Sequence, residues 1–204
     1  SSYSATVTVT DESFTVTQSI TVSVSDVNEA PIFSSASIFS AEENQLSIGS
    51  VTATDPEGDT LLFSTYDNST LSVTSTGVLT FKSAPDYETK SSYTATVTVS
   101  DGSTSASQII TVTVLDVNEA PIFTSSAAFS ADENQTGIGT VTATDPEGDA
   151  LTFSVSGSDL VMSSSGVLTF ATAPDYETKS SYTATVTASD GTSSTNQSIT
   201  VSVI

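Results

Sequence analysis

From Tyr93 the chain alternates: Tyr93, Ala95, Val97 and Val99 face one way, and Thr94, Thr96, Thr98 and Ser100 the other. A period of two is what a strand needs when one face of its sheet is buried and the other is wet. Ile110, Val112 and Val114 repeat it with Thr111 and Thr113 between them, as do Tyr3 to Val9 and Ile20 to Val24. Shorter strands are predicted at Ile48 to Thr54, Leu61 to Thr65, Leu71 to Thr74 and Gly77 to Phe81, separated by turns of Gly, Pro, Asp and Ser. No window supports a helix of ordinary length. About seven short strands in about 90 residues predict an all-β chain of two-sheet antiparallel sandwiches.

The pattern recurs because the sequence does. D-V-N-E-A-P-I-F runs from Asp26 to Phe33 and again from Asp116 to Phe123, and V-T-A-T-D-P-E-G-D runs from Val51 to Asp59 and again from Val141 to Asp149. A third block, Ala84 to Thr98, returns at Ala173 to Thr187, one residue closer, which reads as a shortened loop between Tyr66 and Thr76. Tyr3 to Val9 matches Tyr93 to Val99, so the chain holds the tail of one repeat and two whole ones.

Composition then removes whole classes of chemistry. With no His and no Cys there is no Ser-His-Asp triad, no Cys-His pair, no disulfide and no zinc or haem site of imidazole or thiolate. Three basic residues against 24 acidic ones, for a net charge of -21, rule out a run of phosphate contacts to nucleic acid and disfavour an anionic membrane surface. An acidic, Ser/Thr-rich chain invites disorder, but the strict alternation argues against it. No signal peptide is present and no apolar run approaches the roughly 20 residues of a membrane span, so direct insertion is not expected. The ends read as those of an excerpt.

Where the acid sits is more informative than its amount. Outside the recurring motifs lie only Glu12, Asp67 and Asp159. In D-Y-E, Asp86 and Glu88 are two apart, so an extended segment puts both carboxylates on one side and Tyr87 on the other, where it packs, as Tyr176 does in the next copy. In D-P-E-G-D, Pro56 and Gly58 fold Asp55, Glu57 and Asp59 around one small volume. In D-V-N-E-A-P, Pro121 keeps the segment extended, so Asp116 and Asn118 share a side. Carboxylates, an amide oxygen and backbone carbonyls form the all-oxygen set that calcium prefers, ahead of magnesium. Without an ion they repel, by about 1 kcal/mol per pair at 4 Å even in water.

Taken together the motifs resemble the cadherin repeat, over the whole chain. Glu43-Asn44 and Glu133-Asn134 follow the first strand, D-P-E-G-D stands for D-x-D, D-Y-E for D-R-E, S-D-G carries Asp101 and Asp190, and D-V-N-E-A-P stands for D-x-N-D-N-A-P. The resemblance implies tandem Greek-key β-sandwiches, cadherin-like or immunoglobulin-like, joined by calcium-binding linkers. Residues 1–25 would be the last two strands of a preceding repeat, 26–31 a linker, 32–115 a repeat, 116–121 a linker and 122–204 a repeat. Carried over by position, the central junction would draw Glu43, Asp86 and Glu88 from one repeat, Asp116, Asn118 and Glu119 from the linker, and Asp145, Asp149 and Asp190 from the next. Two departures stand out: Glu119 replaces an aspartate, and D-P-E-G-D is longer than D-x-D. Either Glu147 or Asp149 can be the second loop ligand, and Asp149 is favoured. Asp26, Asn28 and Glu29 with Asp55, Asp59 and Asp101 would form a linker and top, and Glu133, Asp175 and Glu177 a base. Up to three ions are expected at the central junction and fewer at the others.

The composition and linkers look like the bacterial branch of that family, found in large secreted or surface adhesins. The expected function is a calcium-rigidified extracellular or cell-surface spacer in adhesion, with neighbouring repeats of the same chain as its partners. One alternative is a filament of identical chains in which residues 1–25 donate strands; another is a calcium-dependent polysaccharide-binding module. Outer-face Thr ladders are read as solvated β-formers. An enzyme is not expected, because the carboxylate clusters recur at domain ends with no Trp platform or cleft-building insertion. The sequons at Asn68, Asn134 and Asn196 are what chance supplies in so Ser/Thr-rich a chain.

Overall fold

The computed structural model describes residues 1–66 and 69–204, so Asp67 and the Asn68 sequon fall outside the described residues. All regular structure among these residues is β, and none forms a helix able to cross a membrane. The chain divides into two compact units, Ser1–Pro85 with Ser92–Val114, and Asp86–Ser91 with Leu115–Ile204.

The first unit opens with β1 (Ser2–Thr10) and β2 (Thr15–Ser23), an antiparallel hairpin in register from Ser2 opposite Ser23 to Thr10 opposite Thr15. Asp11 closes its turn, accepting the N–H groups of Ser13 and Phe14 on Oδ1 at 2.8 and 2.6 Å. Alternation alone does not bury a face: Tyr3, Val7, Val9, Ile20 and Val22 all remain exposed.

Nine strands follow: β3 (Ile32–Phe33), β4 (Ile38–Glu42), β5 (Ser47–Ser50), β6 (Ala53–Thr54), β7 (Leu62–Thr65), β8 (Leu71–Val73), β9 (Val78–Phe81), β10 (Ser92–Ser100) and β11 (Ser105–Leu115). They form sheets in the orders β4-β11-β10-β7, β5-β9-β8 and β3-β6. The alternating residues of β10 and β11 do what their pattern predicts: Val97, Val99, Ile110 and Val112 are fully buried, with Leu71, Leu79 and Phe81 buried on the three-stranded sheet. Each such side chain contributes roughly 1.5–3 kcal/mol of transfer free energy. On the outer face the Thr98 and Ser107 hydroxyls bond across the strands at 2.8 Å.

The second unit repeats this order with β12 (Ile122–Phe123), β13 (Ala128–Ala131), β14 (Gly137–Thr140), β15 (Ala143–Thr144), β16 (Thr152–Val155), β17 (Leu160–Met162), β18 (Val167–Phe170), β19 (Ser181–Ser189) and β20 (Ser194–Val203). Its core joins Leu160, Leu168 and Phe170 from β14-β18-β17 to Val186, Ile199, Val201 and Val203 from β13-β20-β19-β16. β13 runs parallel to β20, from Ala128 opposite Thr200 to Ala131 opposite Val203.

Two expectations change. The strand predicted over Ile48 to Thr54 is two strands with different partners, β9 for β5 and β3 for β6. Between them Val51 is buried and donates its N–H to Gly77 C=O at 2.9 Å, ending the ladder. Gly77 (φ +90°) and Gly166 (φ +86°) permit this approach, because a Cβ there would lie 2.3 Å from the carbonyl oxygen of Val51 or Val141. The two-residue β3 and β12 and the short β4 and β13 escaped the periodicity reading because Ile32, Ile38 and Ile122 point into solvent. Among the described residues each repeat therefore shows nine strands rather than about seven.

Candidate metal centre

The Glu-Asn motif works through its asparagine. Asn44 and Asn134 adopt φ of +60° and +63°, a left-handed conformation that Asn tolerates better than most residues. The chain therefore reverses just after the glutamate. Asn44 N–H then reaches Pro85 C=O at 3.0 Å, and Asn134 N–H reaches Pro174 C=O at 2.9 Å. In the second unit this brings Glu133 to the D-Y-E loop, where its Oε2 accepts Tyr176 N–H at 3.1 Å.

D-Y-E itself is not extended, contrary to the alternating-side argument. Asp175 caps a single turn: Oδ1 accepts Glu177 N–H at 3.0 Å, Oδ2 accepts the Thr178 hydroxyl at 2.9 Å, and Lys179 N–H returns to its C=O at 2.9 Å. Asp86 does the same with Thr89 and Lys90. The capping carboxylate outcompetes an extended backbone for these N–H groups. The turn still gathers charge, with one oxygen each of Glu133, Asp175 and Glu177 within 4.8 Å of one another. They border an open concavity of about 490 Å³ with Tyr176, Val203 and Ile204. Tyr176 is half exposed there rather than packed, while Tyr87 is half-buried. The Thr178 hydroxyl holds the Asp175 carboxyl below its ordinary value against the opposing effect of burial, with further help from Glu177.

The linkers repeat one hydrogen-bond pattern. Asn118 Nδ2 donates to Glu119 C=O, Asp190 Oδ2 and Ser193 Oγ at 2.8, 3.1 and 3.0 Å. Asn28 does so to Glu29 C=O, Asp101 Oδ2 and Thr104 Oγ1 at 3.1, 2.9 and 3.1 Å. Asp190 and Asp101 are in turn fixed by the S-D-G loop, each accepting two N–H groups on Oδ1 at 2.6 Å. The Thr104 N–H first, then the Asn28 amide, the Thr104 hydroxyl and the Ser103 N–H hold the Asp101 carboxyl far below the usual range. Ser193 N–H lowers Asp190 likewise, against burial. The partners Thr104 and Ser193 were missed from sequence, although a hydroxyl three residues after each S-D-G aspartate was there to be read.

In the D-P-E-G-D loops Asp55 and Asp145 organise the turn, Oδ1 accepting the N–H of Asp59 or Asp149 at 3.0 Å. Glu29 N–H donates to Glu57 and Glu119 N–H to Glu147, both at 3.2 Å. At Glu57 the Glu29 N–H favours ionisation, but burial and the Glu29 and Asp55 carboxylates outweigh it and raise the carboxyl. At Glu147 burial opposes ionisation, yet contacts with Glu119, backbone N–H groups and Asp145 leave it lowered.

Glu147, rather than the favoured Asp149, joins a cluster: one oxygen each of Glu88, Asp116 and Glu147 lies within 4.8 Å of the others, all inside the second unit. Asp149 is exposed and contributes its N–H to the loop. Asp145 Oδ2 and Glu147 Oε2 are buried with no hydrogen-bond partner, as is Asp55 Oδ2 in the first unit. Glu43 is buried in the first unit. Among the described residues Asp26, Glu29, Asp55, Asp59 and Asp101, and likewise Glu119, Asp145, Asp149 and Asp190, enter no such three-carboxylate group.

Buried, acceptor-only oxygens facing one another are what a hard cation satisfies and what a second protein donor does not supply here. The grouped donors, one oxygen each of Glu88, Asp116 and Glu147, are all carboxylate oxygens, a hard oxygen set that fits calcium.

The bacterial Ig domain family model matches residues 28–113 and 118–204. No curated protein matches. Solved structures that do match include cadherin extracellular domains. Mouse cadherin-23 EC22-24 is 22% identical with a TM-score of 0.57, over 100% of this chain and 74% of that one. Human protocadherin-24 EC1-2 is 21% identical with a TM-score of 0.62, over 87% and 99%. A protocadherin gammaB7 EC3-6 cis-dimer structure is 23% identical with a TM-score of 0.63, over 100% and 60%. At these identities the likeness is one of fold, tandem immunoglobulin-like and cadherin-like β-sandwiches.

Proposed function

The chain belongs to the bacterial Ig domain family, and from that premise we propose that it is a calcium-stiffened spacer of an extracellular adhesion or surface protein. One observation carries the reading: Asp145 Oδ2 and Glu147 Oε2 are buried without a partner beside the Glu88, Asp116 and Glu147 cluster. A buried carboxylate oxygen left unpaired costs about 1–3 kcal/mol or more, and a divalent ion turns both that cost and the mutual repulsion into attraction.

Calcium is held by Glu43, Asp86 and Glu88 of one repeat, Asp116, Asn118 and Glu119 of the linker, and Asp145, Glu147 and Asp190 of the next. Glu147 takes the loop position on the strength of its buried oxygen. Asp26, Asn28, Glu29, Asp55, Asp59 and Asp101 are the same linker and top set in the first repeat, and Glu133, Asp175 and Glu177 the same base set in the second. Repeats bounded by linkers at 26–31 and 116–121 are then cross-linked through their own carboxylates, so that bound calcium converts a hinge into a joint. Affinity of about 10⁻⁴–10⁻³ M, that of extracellular modules, suits calcium outside the cell.

Small-angle scattering through a calcium titration tests this. The particle is expected to lengthen and stiffen as calcium is added and to revert with chelator, and Asp116→Ala with Asp145→Ala to abolish the response. A profile indifferent to calcium removes the proposal.

A further inference from the structure

The structure distinguishes the two Asn-X-Ser/Thr sequons whose asparagines lie among the described residues, Asn134 and Asn196. Asn196 lies within β20 opposite Thr187, whose hydroxyl donates to its Oδ1 at 2.7 Å. Asn134 instead stands in the turn between β13 and β14, at φ +63°, and Asn134, Gln135 and Thr136 are all exposed. The backbone around it is pinned, with Asn134 N–H on Pro174 C=O and Phe170 N–H on Thr136 C=O at 2.8 Å. Its side-chain amide has no hydrogen-bond partner among the described residues.

The turn needs Asn134 for its left-handed conformation, but it does not need Thr136. In the first repeat the equivalent turn, E-E-N-Q-L, holds Asn44 at φ +60° with Leu46 in the hydroxyl position. The Thr136 side chain, unlike its carbonyl, therefore carries no duty in the turn, and it completes Asn-X-Thr on an exposed turn. Two residues before Asn134 lies Asp132, also exposed. Asp132-Glu133-Asn134-Gln135-Thr136 thus places a carboxylate two positions before the asparagine and a hydroxyl two after it. That is the acceptor pattern bacterial oligosaccharyltransferases use, and neither other sequon has the carboxylate: Tyr66 and Ser194 occupy that position.

We propose that Asn134 is an N-glycan acceptor, modified in the folded protein by a bacterial oligosaccharyltransferase from a polyprenyl-pyrophosphate-linked oligosaccharide. Asn134 Nδ2 bonds to the anomeric carbon, the bond from that carbon to the pyrophosphate oxygen breaks, polyprenyl pyrophosphate leaves, and one amide proton passes to a base of the transferase.

The test incubates the folded full chain with a purified bacterial oligosaccharyltransferase and its lipid-linked donor, and reads intact mass and a peptide map. The expected result is one glycan, on Asn134. N134Q and T136V, shown folded by circular dichroism, stay unmodified, and D132N loses at least tenfold in transfer rate. No added mass on the folded chain, or a glycan on Asn196 in place of Asn134, overturns the proposal.

Discussion

Replacing Asp145 with Asn isolates the metal contribution from the structural one. Asp145 Oδ1 holds the loop by accepting Asp149 N–H at 3.0 Å, and an asparagine oxygen accepts that bond equally. Oδ2 is buried without a partner against Glu147, whose Oε2 is also unpaired. An amide nitrogen in that place donates to Glu147 and removes one buried charge. Without calcium, D145N is therefore expected to melt at or above the wild-type temperature. With calcium the order reverses. For one site of Kd about 10⁻⁴–10⁻³ M, about 10 mM free calcium stabilises the wild type by about 1.4–2.7 kcal/mol, or about 6–20 °C in a unit of this size. D145N loses most of that increment. Calorimetric melts of both proteins in calcium and in chelator measure all four values. An equal loss in both conditions would refute the argument, since it would mean that Asp145 acts only as a turn residue.

Glu147 and Asp149 separate in the same way. By isothermal titration, E147Q is expected to weaken calcium binding tenfold or more, about 1.4 kcal/mol, and D149N less than threefold; the reverse order restores Asp149 as the ligand. In chelator, stability should rise slightly as pH falls toward the Glu57 range, because a carboxyl raised in the folded state takes up protons on folding. The contributions of Asp101 and Asp190 run the other way: both carboxyls are lowered by folding, so their stabilisation is complete above the unfolded value near 3.8 and is lost as pH falls through the folded values. Melting temperature against pH in chelator should therefore pass through a maximum in the acid range, and a monotonic fall from neutral pH contradicts it. G166A places a Cβ 2.3 Å from the Val141 carbonyl oxygen at a positive φ, and should cost about 2 kcal/mol or more in chemical denaturation; a loss below about 0.5 kcal/mol would show that the approach relaxes freely.

The long strands were legible because their alternation and their burial share one cause, a sheet with a dry and a wet side. Val97, Val99, Ile110, Val112 and Val114 carry that signal. The three- and four-residue strands at Leu62–Thr65, Leu71–Val73 and Val78–Phe81 were also legible, but the two-residue ones were not, since a pairing such as Ile122–Phe123 with Ala143–Thr144 is too brief to show a period. At the site, residue types and their grouping into motifs could be read, because charge clustering survives without geometry. Orientation could not. Asp86 and Asp175 spend their oxygens capping their own turn, a local competition that spacing does not reveal. Nor does the D-P-E-G-D spacing reveal that Glu147 groups with Glu88 and Asp116 while Asp149 stays exposed, a difference set by the backbone of the loop.

The pairing of β13 with β20 has a mechanical consequence. These strands lie near the beginning and end of their repeat and run parallel, four residues abreast from Ala128 and Thr200 to Ala131 and Val203. Tension entering through the start of β13 and leaving through the end of β20 acts along the strands in opposite senses. Their hydrogen bonds are thus loaded together in shear instead of being peeled one at a time. A repeat tied this way resists extension until the whole clamp fails at once, and a single-molecule pulling trace should record one abrupt rupture per repeat. For a tether exposed to flow, the useful quantity is then the rate of that rupture under load rather than the equilibrium stability of the sandwich.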